Sequence, residues 1–142
     1  MSVRKGDRGE GTLQVLNDCR ILAAYTIQIC RNEKVFPKSQ RWIMSQRIVN
    51  ECVDAMTCIR RANSVMVYTS EDFKYRRVQQ VEAHAHLDAL LSLIDLAFTS
   101  FDIEARKIEY WTGLALSTDD KLKSWMKADK QRYKNILTDE TV

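Results

Sequence analysis

Apolar residues recur at three- and four-residue spacings along almost the whole chain, and little interrupts them. Three of the four glycines (Gly6, Gly9, Gly11) fall in the first eleven residues, and beyond Thr12 only Pro37 and Gly113 are helix breakers. Long helices with short connections follow, because each proline or interior glycine would otherwise have to end or weaken a helix. Four periodic segments are predicted. The first, from about Thr12 to Asn32, carries two apolar stripes: Leu13, Leu16, Ala23, Ile27 and Cys30 on one, Val15, Cys19, Leu22 and Ile29 on the other. One neighbouring face cannot cover both, so this helix is expected to be central or to meet another subunit.

The second segment starts near Pro37, a residue suited to a first helical turn, and runs to about Ser64 through Ile48, Val49, Cys52, Ala55, Met56, Ile59 and Ala62. For the third, Thr69 can cap with Asp72 three residues on, and Tyr68 and Phe73 have the spacing of a hydrophobic staple. Its expected seam is His84, Leu87, Leu91, Ile94, Phe98 and Phe101. The fourth begins between Asp102 and Glu104 and continues through Ile108, Trp111, Ala115, Leu122 and Trp125 to about Lys134. The expectation is one all-α domain over 12–134, an up-down-up-down four-helix bundle, with a flexible tail over 1–11 and a mobile one over 135–142.

Composition fits a globular protein that buries a real core: 142 residues, 45% hydrophobic, 29% charged, mean hydropathy -0.36. No apolar run is long enough to span a bilayer and Met1–Glu10 is charged rather than signal-like, so a cytoplasmic protein with no membrane partner is expected. Cys19, Cys30, Cys52 and Cys58 lie within helical patterns with no C-x-x-C pair and read as small core residues.

The charge is unevenly placed. Between Ile59 and Arg77, Arg60, Arg61, Lys74, Arg76 and Arg77 stand against two acids. Between Asp119 and Lys134, Lys121, Lys123, Lys127, Lys130, Arg132 and Lys134 stand against three. Each stretch is net +3 in a chain that is +3 in total, and the antiparallel topology brings both to one pole. Helix C-termini favour cations, but Lys74, Arg76 and Arg77 are expected near a helix N-terminus, where the dipole disfavours them, which points to an external polyanion. The nucleic-acid surface is therefore expected at Arg60, Arg61, Lys74, Arg76, Arg77, Lys123, Lys127, Lys130 and Arg132. Tyr75 and Tyr133 are the expected exposed aromatic platforms, and Trp125 is expected in the core.

Catalytic chemistry finds little purchase. A di-iron bundle needs two Glu-x-x-His pairs and none is present. His84 and His86, two apart on a helix, point to different sides. His84 is expected in the seam or an interface and His86 toward solvent. No catalytic residue, metal ligand or cofactor is expected.

Val35 to Ile48, reading V-F-P-K-S-Q-R-W-I-M-S-Q-R-I, resembles the first interhelical loop and helix 2 start of the accessory variability determinant proteins of diversity-generating retroelements. The matching positions are Phe36, Pro37, Lys38, Ser39, Arg41, Gln46, Arg47 and Ile48. In helix 4, Ile108-Glu109-Tyr110-Trp111 and Trp125-Met126-Lys127 are similar to further family positions, although Lys123-Ser124 stands where small residues are usual. The resemblance implies a noncatalytic partner of a reverse transcriptase, a four-helix bundle assembling into a homopentameric barrel that binds the polymerase and RNA or DNA during mutagenic cDNA synthesis. The alternatives are an RNA-associated bundle of the ribosomal RNA intervening-sequence type and a small metal-binding bundle enzyme. The former carries a proline-interrupted helix 2 where this chain has Asp54 to Asn63 with neither proline nor glycine.

Overall fold

The computed structural model describes residues 2–141, with side chains over 14–137. All regular structure among these residues is helical. Four long helices, α1 (Ser2–Arg31), α2 (Gln46–Ser64), α3 (Ser70–Ser100) and α4 (Ala105–Arg132), are followed by a short α5 (Lys134–Thr141). The long helices pack in a bundle-like ring, α1 on α2, α2 on α3, α3 on α4 and α4 back on α1, while α5 rests on α3 and α4. Ring neighbours run antiparallel: Asp18 and Tyr25 of α1 meet Lys121 and Tyr110 of α4, and Glu51 and Cys58 of α2 meet His86 and Glu82 of α3.

At both ends helix extends past the periodic segments. Helix covers residues 2–11, where a flexible tail is expected; three glycines cost about 1 kcal/mol each, but extending an existing helix avoids the nucleation step. At the other end, Lys134–Thr141 is helical where periodicity is lacking. The helix expected from Pro37 does start there, in stages: a 3-10 turn over Lys38–Gln40, a π turn over Arg41–Ser45, then α2. Proline fixes the backbone ahead of the first turn, and the Gln40 N–H donates to the Pro37 carbonyl.

The second apolar stripe of α1 supplies the core: Val15, Cys19, Leu22 and Ile29 are buried. Of the first stripe, Leu13 lies outside the residues with described side chains; among the others only Ala23 is buried, Leu16 and Cys30 are half-covered and Ile27 is exposed. On α3 the buried line is Ala83, Leu87, Leu90, Ile94 and Ala97, so the expected seam is corrected by a rotation of about one residue: Phe98 is exposed and His84 and Leu91 are half-buried. Small alanines at 83 and 97 let α3 approach its neighbours closely, which a seam of aromatic residues would not. Trp111 lies wholly buried at the centre, its indole N–H donating to the Thr26 hydroxyl at 2.9 Å while that hydroxyl donates to the Leu22 carbonyl. Phe36 closes one end against the rings of Phe101 and Trp111.

The α3 start forms the expected capping box. The Asp72 N–H donates to the Thr69 hydroxyl at 3.2 Å, and the Asp72 carboxylate accepts from the Tyr68 and Thr69 N–H groups at 3.0 Å each. Tyr68 is exposed rather than folded onto Phe73, whose ring meets Tyr133 instead. Thr69→Ala should cost about 1 kcal/mol, read as a lower thermal midpoint. The Tyr68 and then the Thr69 N–H bonds hold the Asp72 carboxyl below its ordinary value. Its contribution is therefore fully present above the ordinary carboxylate range and is lost as pH falls through the lowered value. Asp72→Asn should flatten the acid limb of the stability-against-pH curve.

Candidate nucleic-acid interface

The end of α2, the start of α3 and the end of α4 do meet at one pole, but they meet through the cations expected to face solvent. Arg76 is buried. Its Nε donates to Asp129 Oδ2 at 2.6 Å and its Nη2 to Asp129 Oδ1 at 2.9 Å, a two-pronged guanidinium–carboxylate pair. Its Nη1 donates to the Val65 carbonyl at 3.2 Å, and the guanidinium lies over the rings of Trp125 and Tyr133 at 5.0 and 5.8 Å. Gln80 Nε2 adds a third bond to Asp129 at 2.8 Å. Arg76 is thus corrected from a surface contact to a structural clamp.

Arg77 is half-buried, its Nη2 donating to the Met126 carbonyl at 2.8 Å and its guanidinium 5.2 Å from the Phe73 ring. Burial lowers its pKa from the ordinary arginine value, and Arg76 pushes the same way, while the Asp129 charge opposes both. Tyr133 is likewise half-buried against Phe73 and Arg76, so of the two expected platforms only Tyr75 stands well out of the surface. The signal for the clamp was in the sequence: Asp129 continues the α4 core line Trp111, Ala115, Leu122, Trp125, and Arg76 and Gln80 continue the α3 line back from Ala83.

The pole still has exposed cations: Arg61, Lys74, Lys127, Lys130 and Arg132. Lys123 is exposed but spans to Asp119 at 3.2 Å. Arg60 stands apart from them, with Arg20 on the rim of a groove between α1 and α2 floored by Leu16 and Met56. At the opposite pole, Phe36 is buried while Pro37, Lys38, Arg41 and Arg47 are exposed. Lys38 reaches Glu33 at 3.6 Å, a pair largely open to water and worth little. Beside Arg41 stands the residue the sequence reading passed over, Trp42, which is 75% exposed and followed by an exposed Ile43. Its signal was a break in register, since the α2 core line runs Met44, Ile48, Cys52, Ala55, Ile59, Ala62 and omits both.

The remaining reactive side chains are engaged in structure. His84 Nδ1 pairs with Asp119 on α4 at 2.7 Å and His86 Nδ1 with Glu51 on α2 at 2.6 Å, so the two rings brace α3 to opposite neighbours. Both are partly exposed, which corrects the placement of His84 in the seam and of His86 in solvent; the seam runs through Ala83 and Leu87. Burial pushes the Cys19 and Cys30 thiols up to about 12 and the Cys52 thiol to about 11, and it raises Cys58 as well. Thiols so raised stay protonated near neutrality and are poor nucleophiles and poor ligands. Among the described residues no three His, Cys, Asp or Glu side chains converge as a metal would need, and no helix is long and apolar enough to cross a membrane.

Asp129→Ala should destabilise the protein by about 3–5 kcal/mol by leaving a buried guanidinium unpaired, measured as the shift in urea midpoint. Replacing Arg76 and Asp129 together by apolar residues should cost clearly less than the two single changes added, because the stranded charge is gone.

No protein-family model, no curated protein and no solved structure matches the chain.

Proposed function

We propose that the chain is a noncatalytic accessory protein of a diversity-generating retroelement: a four-helix bundle that assembles into a homo-oligomer, a pentamer on the family resemblance, and binds a reverse transcriptase together with RNA and DNA. The observation that carries this reading is the surface left over once the core is complete. The α1 stripe of Leu16 and Ile27, with Met56 of α2, is left partly or wholly uncovered by the core, and the long helices leave exposed cations at both ends. Uncovered apolar stripes mark contact surfaces, and cations repeated around an oligomer bind a polyanion with avidity that one copy lacks. The functional assignment itself rests on the motif Val35 to Ile48.

Light scattering at micromolar concentration should give a multiple of 16.5 kDa, and a monomer of that mass would reject the assembly. Binding to RNA and DNA should weaken steeply with salt and depend little on sequence. Lys127→Ala with Lys130→Ala should lower the salt slope by about one unit per lost phosphate contact. Co-purification of a reverse transcriptase encoded beside this gene, with template and variable repeats nearby, tests the remaining part of the reading.

A further inference from the structure

We propose that Trp42 is a stacking platform for single-stranded nucleic acid, flanked by Arg41 and Arg47 as its phosphate contacts. This rests on the nucleic-acid part of the reading above but places a contact at the Pro37 end, away from the pole that holds Arg76.

Three observations carry it. Of the three tryptophans, Trp111 and Trp125 are 0% and 6% exposed, whereas Trp42 is 75% exposed. It lies on the π turn, in which Met44 and Ser45 face the core and Trp42 and Ile43 face water. Such turns insert a residue into a helix, change which side chains point outward, and are common at functional sites. The segment itself is of one sign: from Pro37 to Asn50 the chain has Lys38, Arg41 and Arg47 and no acidic residue, although Lys38 pairs with Glu33 just before it. Arg41 and Arg47 are exposed and make no ion pair or side-chain hydrogen bond among the described residues.

Among the described residues the Trp42 ring makes no aromatic or hydrogen-bonded contact. An exposed indole on a segment that also carries two exposed, unpaired guanidinium groups offers a π face and positive charge together. A single-stranded polynucleotide supplies the matching pair, an unstacked base and its flanking phosphates. In a duplex the bases are already stacked and offer no free face. Tryptophan and arginine are also enriched in protein–protein interfaces, so a protein partner is the outcome the test has to separate.

Because the other two tryptophans are buried, the red-shifted, acrylamide-accessible part of the intrinsic fluorescence reports Trp42. Adding oligothymidylate to the full chain should quench the solvent-exposed part of the emission and shield it from acrylamide. A duplex of the same length should give little quenching. Trp42→Ala should weaken oligothymidylate binding roughly tenfold, the loss of one stacked base, while Trp42→Phe keeps most of the affinity. Arg41→Ala with Arg47→Ala should lower the salt slope by about 1.4 units, the single-strand value for two lost phosphate contacts. Helicity and the buried Trp111 emission verify that each variant is folded. Wild-type affinity in Trp42→Ala, with salt-dependent binding intact, would overturn this site and leave the broader nucleic-acid reading standing. No binding by the wild-type protein would remove both. Trp42 responding only to anionic lipid vesicles, or only to a protein partner, would assign the surface to that ligand and overturn the proposal.

Discussion

A guanidinium taken out of water has to be answered in full, and Arg76 is answered by groups from most of one pole. Asp129 comes from α4, the Val65 carbonyl from the α2–α3 connection, and the rings of Trp125 and Tyr133 from the last turns of α4 and the residue that joins it to α5. Each partner must stay where it is, because moving any one leaves a buried charge short of a bond. The capping box places Arg76 by fixing where α3 starts, and the Arg77 bond to Met126 sets α3 against α4 beside it. An aliphatic contact would tolerate α4 sliding along α3; a two-pronged ion pair does not.

The other pole is held differently. Phe36, Phe101 and Trp111 meet edge to face, and the Trp111 N–H is met by Thr26 within the core, although the buried Ser45 hydroxyl of the π turn has no partner among the described residues. Thr26 in turn returns its own proton to the Leu22 carbonyl one turn back, so neither its hydroxyl nor the indole is stranded. This pole can therefore close on shape alone, and the chain outside it, from Lys38 to Ile43, is spared from packing. That release is what leaves Arg41 and Trp42 on the surface.

Much of this was legible in the sequence, and the failures are instructive. The position of Pro37, the Thr69–Asp72 pair and the α2 line from Ile48 to Ala62 each depend on local rules, and each holds in the fold. What local rules could not supply was pairing between helices distant in sequence. Arg76 reads as a surface cation until Asp129 lies against it, and two histidines read as one core and one solvent residue until α4 and α2 arrive on either side. The α3 seam was misread because large residues were preferred over Ala83 and Ala97, although in a closely packed helix the small residues mark the line of approach. Trp42 falls outside the α2 register of Met44, Ile48 and Cys52, and that break stands out only once the π turn ahead of α2 is seen.

The two ends of this protein should age differently under mutation. Where closure depends on interchangeable apolar volume, substitutions can compensate one another gradually, Phe for Leu here and Met for Ile there, with each intermediate still folded. Where it depends on Arg76 meeting Asp129, no single step leads elsewhere without passing through an unpaired charge. Related chains would then be expected to drift in step at the Phe36 end, and at the other to keep both members of the pair or to have lost both.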